Sequence, residues 1–206
     1  DVAAFDKIPH YTLGSPIEYP FYIILGLIVG LAASVFIKLM NFVEDNIENI
    51  KGIPVPFRTC LGGLCVGLIA LSFPHVLGNG FDVTSDLISL DSDNTNGLLI
   101  GDSFPVDTDI SSGITNLLIF ILSIMALKII ATSISIGSGG SGGIFTPSLF
   151  IGAAIGAGLG LVLYDIGIVS HPGAFALVGM AAFVASTTRA TLTAIVLLFE
   201  MTATYE

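Results

Sequence analysis

The chain has no tryptophan, two cysteines and three histidines, and its six basic residues face sixteen acidic ones. Each shortage closes off a class of function. Cys60 and Cys65 lie inside one apolar run, at neither a CxxC nor a metal-ligand spacing, so they read as small apolar packing residues rather than as a disulfide framework. His10, His75 and His171 are scattered near the ends of apolar segments, and no metal is expected. There is no catalytic triad, and no carboxylates are paired outside the polar connections. No catalytic residue is therefore assigned, and neither an enzyme, a cofactor nor a nucleic-acid partner is expected.

Charge is scarce throughout. Charged residues make up 11% of the chain and hydrophobic ones 53%, with a mean hydropathy of +0.95, whereas soluble domains carry roughly 25% charge. Runs without any charge extend over 19–37, 59–81, 129–164 and 166–188, each at or above the roughly 18 residues that suffice to cross the hydrocarbon core. A soluble core helix would keep a polar face, and these runs have none. The composition therefore predicts an all-α membrane protein, a polytopic bundle of tilted and partly broken helices in a single transmembrane domain over 1–206. Spans are expected at about 20–43, 55–76, 114–136, 145–165, 173–186 and 189–202, with a short helix near 82–90. The chain opens at Asp1 and closes on "FEMTATYE" directly after an apolar segment, and it reads as an internal piece of a longer protein, inactive by itself.

The last apolar stretch is divided because "STTRAT" places Arg189 and three threonines in its middle. A broken helix at membrane depth is tolerated where its freed backbone groups face protein or a water-filled cavity, which is a trait of transporters and channels. Arg189 and Glu200 sit about 16 Å apart along a helix axis, too far to pair, and each reads as an anchor for one end of a short helix.

The few bases are unevenly placed. Lys38, Lys51 and Arg58 fall in the connection over 38–58, while 78–113 holds Asp82, Asp86, Asp91, Asp93, Asp102, Asp107 and Asp109 and no base. Positive connections stay inside, so 38–58 is expected in the cytoplasm and 78–113 outside. The aspartates read as a solvated loop with turn chemistry.

What the chain has in abundance is glycine, concentrated in "SIGSGGSGGIFTPSLFIGAAIGAGLG" at 135–160. "GSGGSG", Gly137 to Gly142, fits GxGxxG, but the apolar run before it is too long for a strand and the helix after it is apolar all round, which excludes a dinucleotide fold. No Lys follows the glycines, which excludes a Walker loop. Gly139, Gly140, Gly142 and Gly143 are expected to carry the backbone through unusual dihedrals, and Pro147 suits a first helical turn because it has no N–H to lose. The N–H groups of Ile144, Phe145 and Thr146 would then be free to meet a small dehydrated anion. A site of dipoles, with no Lys or Arg beside it, would let that anion leave again. The bland alternative is that the glycines only pack helices and "GIFTP" is an ordinary helix start.

At these residues the sequence resembles the voltage-gated chloride channel (CLC) family of chloride channels and proton/chloride exchangers. Gly143-Ile144-Phe145-Thr146-Pro147 matches its GxFxP filter segment, and "FALVGMAAFVASTTRATLTAIVLLFEMT", 175–202, is similar to its pair of short helices with an Arg between them. The resemblance implies chloride as the transported ligand, contacted by the amides of Ile144 and Phe145, with Gly143, Thr146 and Pro147 completing the site. It also implies a homodimer of the full-length protein, with Leu192, Ile195, Val196 and Phe199 on the last helix as its contact face. The chain would be most of one half of an inverted-repeat subunit in the plasma membrane. Thr191 stands where the family usually has proline, and the family's first-half filter segments, gating glutamate and C-terminal tyrosine have no counterpart in this sequence. Channel and exchanger are therefore not separated by the resemblance.

Overall fold

The computed structural model describes residues 16–48, 54–90 and 110–202, and every regular element within them is helical. After a 3-10 turn at Pro16–Glu18, α1 (Tyr19–Glu48) runs well past the apolar stretch, because "NFVEDNIE" continues the helix with polar residues. α2 (Val55–Ser72) starts with proline in its first turn, where a missing N–H costs nothing. It is shorter than the expected 55–76. Phe73 precedes Pro74, a position that disfavours helical backbone, and it adopts φ −135 and ψ 81 before a 3-10 turn at Pro74–Val76. α3 (Phe81–Ile88) follows, then α4 (Ile110–Gly137), α5 (Phe145–Asp165), α6 (Pro172–Thr188) and α7 (Thr191–Thr202).

Arg189 was expected to open the last helix. It instead occupies the break between α6 and α7 in a left-handed conformation, φ 57, as the C-terminal cap of α6. Among the described residues, three stretches are long and apolar enough to cross a membrane: Tyr19–Ile47, Ile114–Gly137 and Phe145–Asp165. α7, with its 12 residues, reaches only about 18 Å.

α5 is the central element. It packs most extensively on α6 and also meets α3 and α4, and Ile151, Ala153, Ala154, Ala157 and Leu161 are fully enclosed. The α5–α6 seam is backbone against backbone. A Cβ on Gly156 would stand 2.7 Å from the Phe175 carbonyl carbon and 2.8 Å from Ala176 Cα, and one on Gly160 would stand 2.7 Å from the Pro172 oxygen. Small residues at this spacing let helices approach without side chains between them, which is how apolar helices associate where no hydrophobic drive exists. Aromatic contacts tie α1 to α6: Tyr22 stacks on Phe175 at 4.4 Å and Phe36 tilts against Phe183 at 5.9 Å.

Many large apolar side chains on the first two helices face outward. Ile23, Leu27, Leu31 and Val35 on α1 and Leu61, Leu64, Leu68 and Leu71 on α2 are exposed, as suits surfaces meant for lipid or for further protein. Cys60 and Cys65 belong to this exposed face of α2, so they do not pack inside this chain as their setting suggested. The aspartates at 91, 93, 102, 107 and 109, together with Lys7, His10 and Lys51, lie outside the described residues.

Candidate functional site

The site is built around the connection from α4 to α5. α4 ends in a Schellman cap: the Gly139 N–H donates to Ile136 O and the Gly140 N–H to Ser135 O, both at 2.9 Å, with Gly139 left-handed at φ 87. Among the glycines of the run, Gly139 alone needs a positive φ. Gly140 is required for space, since a Cβ there would meet Ser135 O at 2.5 Å. The expectation of several unusual dihedrals thus reduces to one, with close approach accounting for its neighbour. The turn is clasped from outside: Thr59 Oγ1 of α2 donates to Ser138 O at 2.8 Å, and a Cβ on Gly137 would touch Glu44 of α1 at 3.1 Å.

Beyond the cap the backbone passes Gly142 and Gly143 and enters α5, with Ile144 at the N-cap, Phe145 at the first helical position and Pro147 two further on. No side chain caps the helix. Ser148 is the first residue whose N–H closes a bond across the start, to Ile144 O at 3.0 Å, and its hydroxyl donates to the same oxygen at 2.7 Å. The N–H groups of Ile144, Phe145 and Thr146 have no acceptor among the described residues. Pro147 has none to satisfy. Thr187 Oγ1 near the end of α6 reaches Ser148 Oγ at 3.4 Å, which ties this first turn to the α6–α7 break.

A cavity of about 280 Å³ opens beside the turn, bordered by Gly142, Gly143, Thr146 and Pro147 and also by Val76–Asn79, Lys128 and Thr132. Of the five residues singled out from the sequence, Gly143, Thr146 and Pro147 border this cavity, whereas Ile144 and Phe145 do not. Leu192, Ile195, Val196 and Phe199 lie away from it on α7 and are all exposed, Leu192 most of all at 80%.

Lys128 is what the sequence reading missed. A site free of Lys and Arg was expected, yet this side chain forms part of the cavity wall and is only 4% exposed. Its Nζ donates to Val76 O and to Gly78 O, each at 2.8 Å, and lies 5.8 Å from the centre of the Phe150 ring. The signal was present: a lone ionisable residue amid the apolar stretch of α4, which in a membrane helix points to function or a buried partner.

Chemically, the arrangement presents unpaired backbone donors, a helix dipole with its positive end forward, and one enclosed ammonium, with no acidic side chain among the described residues of the cavity wall. It suits a small anion.

Comparison with known proteins identifies the family. A family model described as voltage gated chloride channel matches residues 3–206. The chain is 34% identical over 210 residues to "Chloride channel protein CLC-f" of Arabidopsis thaliana, covering 96% of this chain and 24% of that protein. It is 37% identical over 213 residues to "Chloride channel protein CLC-e" of the same plant, covering 97% and 27%. It is 33% identical over 193 residues to "Voltage-gated ClC-type chloride channel ClcB" of Escherichia coli O81 (strain ED1a), covering 92% and 40%. The chain thus spans about a quarter to two fifths of the length of these relatives. An all-helical integral membrane chain that matches this family over nearly its whole length belongs to the CLC voltage-gated chloride channel family.

Proposed function

We propose that the full-length protein moves chloride across a membrane, as a channel or a proton-coupled antiporter, and that the anion is held by backbone N–H groups at the start of α5. The observation that carries this reading is the row of unpartnered N–H groups at Ile144, Phe145 and Thr146, opening beside a cavity in an otherwise apolar bundle. An unpaired donor at membrane depth costs several kcal/mol, and an anion at that place removes the cost while meeting the positive end of the helix dipole. Dipoles bind without the grip of a contacting charge, which permits release and therefore throughput. The relatives' printed names, which speak of chloride channels, support the choice of ion.

The same reading makes this chain most of one half of an inverted-repeat subunit, paired in a homodimer of the full-length protein in the cell membrane. In it, 38–58 faces the cytoplasm and 78–113 the outside. Leu192, Ile195, Val196 and Phe199, exposed at successive turns of α7, form the dimer contact.

The decisive experiment is radiolabelled chloride efflux from liposomes holding the full-length protein, with and without an imposed pH gradient. Efflux that drives proton movement identifies an antiporter, and efflux without it a channel. No efflux would leave a membrane scaffold whose glycines only pack helices. Replacing the Phe145 amide by an ester, through the corresponding hydroxy acid, removes one N–H and leaves the side chain. Chloride affinity should fall by about ten- to a hundredfold, the worth of one hydrogen bond to a charged group. Unchanged affinity would remove that amide from the site.

A further inference from the structure

We propose that Lys128 is a fixed cation of the anion path, and that the transported anion is its counter-charge. The inference rests on the chloride-transport reading above and adds a residue that sets charge specificity.

An ammonium taken out of water is costly unless it is paired. Lys128 is enclosed in the bundle at 4% exposure. Its partners are two carbonyl oxygens, of Val76 and Gly78, and the face of Phe150. These supply dipoles and a quadrupole but no negative charge. Among the described residues no carboxylate borders the cavity and none forms an ion pair with Lys128. Among the described residues, a full positive charge therefore stands without a counter-charge on the wall of a cavity that the first turn of α5 also lines.

Geometry decides how that charge acts. Lys has three donors on a flexible stem, and two of them are engaged at 2.8 Å on carbonyls of the turn after α2. Thus tethered, the ammonium cannot swing across the cavity to grip an ion. It attracts the anion over distance while the backbone donors make the contact. Unit charges about 10 Å apart at an effective dielectric constant of about 20 attract by about 1.7 kcal/mol, equivalent to somewhat more than tenfold in affinity. An entering cation would be repelled by the same amount.

The test is chloride titration by calorimetry on the detergent-solubilised full-length protein, with thermal unfolding in chloride-free buffer alongside. Lys128→Gln keeps amide donors for the carbonyls and loses the charge, Lys128→Met loses both, and Lys128→Arg keeps both. Chloride affinity is expected to fall tenfold or more in the Gln and Met variants and to stay within about threefold in the Arg variant. A second pair is independent of whether those variants fold. Thr132 borders the same cavity one turn along α4, so Thr132→Glu supplies a built-in counter-ion, and Thr132→Gln has the same size without charge. The Glu variant should bind chloride at least tenfold more weakly than the Gln variant. If the parent binds chloride and Lys128→Gln, or Thr132→Glu against its control, binds it equally well, Lys128 is only a tether and the proposal is wrong. A parent protein that neither binds nor moves chloride would overturn the transport reading itself, and this inference with it.

Discussion

Gly156→Ala separates a packed seam from a merely permissive glycine, because the two possibilities predict opposite signs. In an isolated helix, Ala is favoured over Gly by about 1 kcal/mol. At Gly156, however, the added Cβ would meet the Phe175 carbonyl carbon at 2.7 Å and Ala176 Cα at 2.8 Å. Carbon atoms pack at about 3.5–4.0 Å, so α5 and α6 would have to part by roughly 0.7 Å or more, and both obstacles are backbone that cannot rotate away. Overpacking of this kind costs about 1–3 kcal/mol, occasionally more, and it exceeds the propensity gain. Gly158 on the same helix is the internal control: its Cβ would rest 3.8 Å from Leu118 Cδ2, an ordinary contact. The full-length variants should be heated in mild detergent and the loss of the monodisperse chromatographic peak followed. Gly156→Ala is expected to lose that peak several degrees below the parent and to transport chloride more slowly, since α5 carries the site at its first turn. Gly158→Ala should match or exceed the parent. If Gly156→Ala proves as stable as the Gly158 control, the backbone-to-backbone seam is refuted.

Gly139, left-handed at φ 87, should tolerate Asn far better than Val. A β-branched residue there costs about 1–3 kcal/mol in backbone strain, and equal melting temperatures for the two variants would show that the turn relaxes freely. On α7, the double substitution Ile195→Glu and Val196→Glu places charges on an exposed apolar face and is expected to convert the proposed full-length dimer into monomers by light scattering in mild detergent. A dimer that persists moves the interface elsewhere.

Class and family were legible in the sequence for different reasons. Charge-free runs as long as 129–164 leave little but membrane helices, and "GIFTP" followed by the paired helices around Arg189 is a specific enough pattern to name the family. Local stops were harder. α2 ends at Ser72 because of Pro74, but hydropathy continues through Val76 and hides the break. Arg189 reads from sequence as the first residue of a helix, whereas its left-handed backbone makes it the cap of the one before. The clearest failure concerns Lys128. Its role depends on the carbonyls of Val76 and Gly78, some fifty positions earlier in the chain. No local pattern reports a contact that only the fold creates.

On the proposed reading, the same distinction explains how a chain with so little charge could define a path for an ion. In water a single Lys among sixteen acidic residues would be lost in the screening. Enclosed in an apolar bundle, its field reaches across the cavity, and what matters is where it is held. That position is set twice over by backbone: two carbonyls hold the ammonium at the cavity, and the glycine seam fixes α5, and with it the free N–H groups at its start. Neither relies on a side chain that could follow the ion as it moves. A small shift of α5 therefore changes the separation of dipole and cation directly, which is why a methyl group at Gly156, about 16 Å along the helix from Phe145, is expected to reach the anion.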